Sequence, residues 1–212
     1  MAKRLDITLD EHQANQFLQA VRVKRDVITL WMNAIKAFLV QQPADEVDMA
    51  AELSVVVSKM SRLFLGVADG RKIFSIAFPF TVRTDGPELQ FFSREGILID
   101  SRMSSVVLSL VHTDGVLELQ DPYSFLDPIL TAMEADQGTW SLFRELMLAE
   151  DGYVRYDWDT ERVNGHLHPE HHLDFCYSGP STFKVGLQKQ LGREEFLSIL
   201  DLETDCHYLH SV

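Results

Sequence analysis

Three segments near the C-terminus alternate apolar and polar residues at a period of two, and that alternation constrains the fold more than any other feature of the chain. They lie between Tyr153 and Gln188, in YVRYDWDTERVNGHLHPEHHLDFCYSGPSTFKVGLQ. Successive side chains of a strand point to opposite faces. Val154, Tyr156 and Trp158 therefore share one face, and Arg155, Asp157 and Asp159 the other. Leu173, Phe175 and Tyr177 oppose His172, Asp174 and Cys176, while Phe183, Val185 and Leu187 enclose Lys184 and Gly186. Paired as a hairpin plus a third strand, these segments collect Arg155, Asp157, His172 and Asp174 on one polar face, at cross-strand spacings of about 4.5–5.5 Å or the next diagonal. The apolar faces fix the register, because a one-residue slip would turn them to the wrong side. Phe196, Leu197, Ile199 and Leu200 then predict a closing helix.

The N-terminal seventy residues read as a helical region. Thr8 and Glu11 have capping-box spacing, and Phe17, Val21, Ile28, Trp31 and Ile35 recur at helical intervals up to Gln42-Pro43. A second helix is expected from Asp45 to Phe64, although Val55-Val56-Val57 also suits a buried strand. From Ile73 to Gln120, Asp85-Gly86, Glu95-Gly96 and Asp114-Gly115 separate short β-rich runs, including SSVVLSLVH, and predict an antiparallel meander. Pro79 marks an edge or bulge in the first run. Helices follow at Asp121–Ala135 and from Thr139 to Asp151-Gly152. The fold class is α+β: a helical region at 1–70, then a body at 71–212 carrying the signature stretch 153–200, the whole forming one unit.

Charge narrows the function classes. The net charge is −13, and residues 1–40 hold six Lys/Arg against four Asp/Glu, so the remaining residues carry −15. Such a body opposes direct, non-specific binding to nucleic acid. Arg22, Lys24 and Arg25 are the one basic cluster, and it reads as a solvated helix face. No apolar run reaches membrane-spanning length, and no secretory leader is visible. Cys176 and Cys206 have no paired spacing. A cytoplasmic location follows as the expectation.

Four of the eight histidines lie in the signature stretch. HLHPEHH places His168 and His172 four residues apart, a pair that invites a metal, with His166, Asp174, Cys206 and His207 as further donors. Pro169 forbids a regular helix there, so the spacing that makes H-E-x-x-H a zinc motif does not apply. Beyond a divalent ion, no cofactor is expected. Arg155, Asp157, His172 and Asp174 form a candidate catalytic set: a histidine beside two carboxylates, with an arginine as clamp. The same residues suit a structural ion-pair network, and no nucleophile elbow, P-loop or dinucleotide fingerprint is present.

VRYDWD, HPEHHLDF and FKVGLQKQLGREEFLSIL resemble the C-terminal signature of a bacterial domain-of-unknown-function family, in which an R-aromatic-D strand leads into HPxxHL, another strand and a helix. The likeness covers about sixty residues and marks Arg155, Asp157, His168, Pro169, His172 and Leu173. Asp174 departs from it, which weakens a catalytic or metal role drawn from the pattern. The stretch is also similar to the tail of small toxin–antitoxin proteins. Both resemblances imply an accessory component of a bacterial toxin–antitoxin or phage-defence system, binding a protein partner that is basic or itself binds nucleic acid. The alternative is a hydrolase or nuclease using the Arg/Asp/His set, with or without a metal.

Overall fold

The computed structural model describes residues 3–84, 86, 88–118, 121, 123–175 and 183–207. The fold is α+β. Its elements are β1 (Lys3–Leu9), α1 (Glu11–Asn15), α2 (Lys24–Val40), β2 (Ala51–Val57), β3 (Arg62–Val67), β4 (Lys72–Ala77), β5 (Thr81–Arg83), β6 (Gln90–Phe92), α3 (Ser101–His112), α4 (Leu126–Ala135), α5 (Gly138–Leu148), β7 (Val154–Trp158), β8 (His171–Phe175), β9 (Phe183–Leu187) and α6 (Arg193–Ile199). They fall into two compact units, one comprising Met1–Ala14, Ala44–Phe78 and Gly152–Val212, the other Asn15–Pro43 and Pro79–Asp151.

The first unit is built on a seven-stranded antiparallel sheet in the order β1-β2-β3-β4-β7-β8-β9. The expected hairpin and third strand are therefore the far half of one continuous sheet, joined to the N-terminal strands where β7 pairs with β4, Tyr156 opposite Ile73. One face carries Phe64, Ile73, Val154, Tyr156 and Leu173, over which Leu191 and Phe196 close a core. Phe196 meets Phe64 edge-on at 6.1 Å, a favourable arrangement for two aromatic quadrupoles. Arg193 ties α6 to the sheet by pairing with Glu52 at 2.7 Å. Arg62, buried in β3, donates to Ser75 Oγ and the Gly152 carbonyl, and burial lowers its pKa to about 10. Gly152 has φ +52°, and a Cβ there would lie 3.2 Å from Arg62 Nη1. Both facts favour glycine at the entry to β7.

In the second unit α2 packs on α3 and α5. Trp31 and Phe80 meet edge-on at 6.0 Å, and β5 and β6 form a two-stranded hairpin. Lys24 pairs with Asp151, and Arg25 with Glu118, so two of the three basic residues at 22–25 are neutralised by carboxylates. On α4 only Ile129 is fully buried, while Leu126 is 40% and Leu130 54% exposed; just before the helix Tyr123 is 77% exposed. No helix among the described residues is long and apolar enough to cross a membrane.

Several expectations are corrected. Residues 1–70 are not a helical region, because the segment expected as a second helix forms β2 and β3. The β-branched run Val55-Val56-Val57 lies at the end of β2, and the intervening turn has no glycine or proline: the Ser61 hydroxyl accepts from the Ser58 amide and donates to the Ser58 carbonyl, while the Ser58 hydroxyl accepts from the Met60 amide. The N-terminal box is also displaced, since Asp10 and Gln13 exchange the reciprocal bonds expected of Thr8 and Glu11. SSVVLSLVH is helix α3, capped by Asp100, whose carboxylate accepts from the Met103 amide at 2.7 Å. Met103, Val107, Leu110 and Val111 form its buried face. Thr139 is a buried residue of α5, which Asp136 caps by accepting from the Gly138 amide. The meander expected over 73–120 thus shrinks to β4 and the β5–β6 hairpin; Asp85, Leu119 and Gln120 lie outside the described residues.

Candidate functional site

Alternation places the cluster as the sequence predicts. Arg155 stands opposite Asp174 and Asp157 opposite His172 across β7 and β8, with Val154, Tyr156, Leu173 and Phe175 turned to the other face. Asp174 stands opposite Lys184, and His172 opposite Gly186, across β8 and β9. Cys176 and Tyr177, assigned to opposite faces from sequence, lie outside the described residues.

The charges close on one another. Arg155 spans both carboxylates, Nε donating to Asp157 Oδ2 at 2.6 Å and Nη2 to Asp174 Oδ2 at 2.6 Å. Asp174 is 1% exposed, and its second oxygen accepts from Lys184 Nζ at 2.6 Å. Tyr153, stacked on Phe74, places its hydroxyl 3.4 Å from Arg155 Nη1. Burial raises the pKa of that phenol despite the nearby guanidinium. Two cations against two buried carboxylates give a locally neutral array, the condition under which ions are tolerated away from water.

His172 is 1% exposed, and its protonation follows from its partners. Nδ1 lies 2.8 Å from the Pro169 carbonyl, which only accepts, so Nδ1 carries the proton. Nε2 lies 3.0 Å from Lys184 Nζ, an ammonium that only donates, so Nε2 presents its lone pair. The ring is neutral. Burial holds its pKa below the ordinary histidine value; the Pro169 carbonyl pulls the other way, Lys184 reinforces the depression, and Asp174 and Asp157 resist it. Pro169 itself is fixed by close approach, since a Cβ on Gly186 would lie 2.8 Å from its ring.

The metal pair expected from sequence is not assembled as a shared ligand set. His168 packs edge-on against His172 at 4.8 Å between ring centres, but its Nε2 lies 3.4 Å from Asp159 Oδ2. The donors that converge are Asp157, His172 and Asp174, whose ligand atoms lie within 4.8 Å of one another. His207 lies 3.3 Å from Ser198 Oγ, Cys206 is exposed, and His166 is exposed in the turn before His168. Lys184 is the member that the sequence reading did not assign a role. Its signal was present, because it stands between Phe183 and Val185 in the third alternating segment and so falls on the polar face. His171 was also unassigned; it lies on the apolar side, 2.9 Å from the Tyr156 hydroxyl.

Comparison with family models, with curated proteins and with solved structures finds no match to this chain.

Proposed function

We propose that the chain is a partner-binding, accessory component of a bacterial toxin–antitoxin or phage-defence type assembly. The observation that supports partner binding is the outer side of α4. Leu126 and Leu130 are one turn apart, with exposed Tyr123 preceding them and half-buried Met133 following, so apolar groups run along the helix. Asp127 and Glu134, both exposed and seven residues apart, run beside them, with Asp121 at the N-terminal end. An apolar row bordered by acids suits an amphipathic segment with basic flanks, and so a partner that is itself basic or binds nucleic acid. The bacterial setting rests on the resemblance of the 153–200 stretch. Co-expression with the products of neighbouring genes tests the reading: a stable complex should form and be lost in Leu126→Asp/Leu130→Asp. A chain that purifies alone with every neighbour, or a complex indifferent to the double substitution, would overturn it.

A second reading, a hydrolase or nuclease, is favoured by one observation: the His172 Nε2 lone pair faces two carboxylates on the same sheet face as an arginine. His172 is then the base or a ligand, and Arg155 the clamp on a phosphate oxygen. His172→Ala and Asp157→Ala should abolish activity, or toxicity in cells, while melting near wild type. Two variants that melt far below wild type would identify the network as structural instead.

A further inference from the structure

We propose that Asp157, His172 and Asp174 form a divalent-cation site, two of whose donors the Lys184 ammonium holds when no ion is bound. The donor set is mixed, two carboxylates and one imidazole nitrogen, and it is assembled by the register of β7 and β8. Mixed oxygen and nitrogen donors suit Mn²⁺ or Zn²⁺ better than Ca²⁺ or Mg²⁺, which favour oxygen alone.

Three features distinguish this group from carboxylates that happen to be close. The first is the orientation of the imidazole. Metal-binding histidines generally donate their other ring N–H to a carbonyl or carboxylate, which fixes the tautomer and aims the lone pair. The Pro169 carbonyl takes the His172 Nδ1 proton at 2.8 Å and leaves Nε2 unprotonated, facing Asp157 Oδ2 at 3.8 Å and Asp174 Oδ1 at 3.9 Å. The second is that a cation already stands there. Lys184 Nζ touches His172 Nε2 at 3.0 Å and Asp174 Oδ1 at 2.6 Å, two of the three donors. The third is a second cation outside the ring of donors: Arg155 holds the other oxygen of Asp174, and also Asp157 Oδ2, and so fixes both carboxylates in place.

Exchange requires the donors to draw together. Donors about 2.1 Å from a tetrahedral ion lie roughly 3.4 Å apart, so each imidazole–carboxylate distance shortens by about half an ångström and the carboxylate pair, within 4.8 Å, by up to about 1.4 Å. The Lys184 side chain is 24% exposed and its stem is flexible, so its head can move to water as the ion enters. Loss of the ammonium removes one positive charge and arrival of the ion adds two, leaving the cluster at a net +1 with Arg155. His168, packed edge-on against His172, restricts the imidazole ring to this orientation. The proposal stands apart from the partner-binding reading, and it holds whether or not the chain is catalytic.

The test uses the full chain, stripped with chelator and titrated calorimetrically with MnCl₂ and separately with ZnCl₂. One equivalent of ion should bind at neutral pH. Lys184→Met removes the competing ammonium and should tighten binding about tenfold, equivalent to about 1.4 kcal/mol, whereas Asp157→Asn should weaken it by at least as much. Should a variant fail to fold, wild type alone decides: electron spin-echo spectra of the Mn²⁺-loaded chain should contain the coupling of one imidazole nitrogen. Any of three results overturns the proposal: no stoichiometric binding up to millimolar ion in wild type, folded Lys184→Met and Asp157→Asn with unchanged affinity, or bound Mn²⁺ without nitrogen coupling.

Discussion

The two faces of β7, β8 and β9 are made by the same fifteen residues and the same hydrogen-bonded ladders, yet they hold together by different means. One presents Val154, Tyr156, Leu173 and Val185 to Phe196 and Leu191, where free energy scales with apolar area and tolerates small shifts. The other presents Arg155, Asp157, His172, Asp174 and Lys184, each holding another at a fixed distance. Valine and leucine on that second face would make a more ordinary sheet, and replacing buried ions with well-packed apolar groups is often neutral or stabilising. Ion pairing there needs each partner present, whereas the apolar side needs only volume. The comparison yields a rule: loss on the apolar side should follow the size of the deletion, and loss on the polar side should follow the number of partners left unpaired.

The largest effect belongs to the apolar face. Tyr156 is fully buried at the centre of the core, so Tyr156→Ala should cost about 3–5 kcal/mol. Trp158 is on the same face but only partly buried, with Nε1 donating to Glu170 at 2.8 Å. The alternation assigns its face correctly and says nothing of its position at the strand end. Trp158→Ala should therefore cost less than Tyr156→Ala, despite the larger side chain. Chemical denaturation of both variants checks the order, and the reverse order would mean that burial does not govern this face.

On the polar face Asp174 has the most partners. Asp174→Ala leaves Arg155 and Lys184 without their shared carboxylate and His172 beside an uncompensated ammonium, at a cost of about 3 kcal/mol. Asp174→Ala/Lys184→Met removes one of the stranded charges with its partner and should recover part of that loss. Recovery is the sharper measurement, since simple volume loss predicts that the double variant is worse than the single.

The polar face was legible in sequence because strand alternation is local. Arg155, Asp157, His172 and Asp174 needed only a period of two and an antiparallel hairpin. Lys184 needed the same rule carried to the third strand. The stacking of Pro169 on Gly186 was not legible, because it joins a loop to a strand seventeen residues on and leaves no trace in periodicity. Residues 45–64 and 104–112 failed for another reason. The turn between β2 and β3 is made by serine hydroxyls rather than glycine, and α3 contains enough valine to imitate a strand. Its Asp100 cap and the Met103–Val107–Leu110 spacing were the signals that should have outweighed valine's β preference.

The Pro169–Gly186 contact allows the polar face to be disturbed without changing any charge. Gly186→Ala would place a methyl 2.8 Å from the proline ring, which has no flexible end to yield. Pro169 must shift, and its carbonyl with it, so the variant should lose about 1–3 kcal/mol by overpacking. Nitrogen chemical shifts of His172 should also move toward a mixture of tautomers, because the acceptor that selects the Nδ1 proton has been displaced. Lost stability with an unaltered His172 spectrum would show that the loop moves without its carbonyl, and would separate Gly186 from the cluster.

The smallest expected effect isolates the imidazole. Folding keeps His172 neutral and lowers its pKa, chiefly through burial, while the unfolded chain takes up the proton near the ordinary value of about 6.5. Between the folded and unfolded values the unfolded state binds more protons, so stability rises with pH across that window. The His172 contribution is therefore complete above the unfolded value and is lost as pH falls through the folded one. The groups facing the ring are Lys184 from β9, Asp157 from β7, Asp174 from β8 and His168 from the preceding loop. His168 is the other imidazole in contact with the ring, so His168→Gln serves as the background. In chelator, the stability advantage of His168→Gln over His168→Gln/His172→Gln should shrink from pH 7.5 to pH 5. An advantage that stayed constant would mean that the cluster accepts the imidazolium as readily as the imidazole. The Lys184 ammonium would then have to leave Nε2 upon protonation, with the new N–H satisfied by Asp157 or Asp174. In that event charge pairing with the carboxylates would outweigh burial on this face.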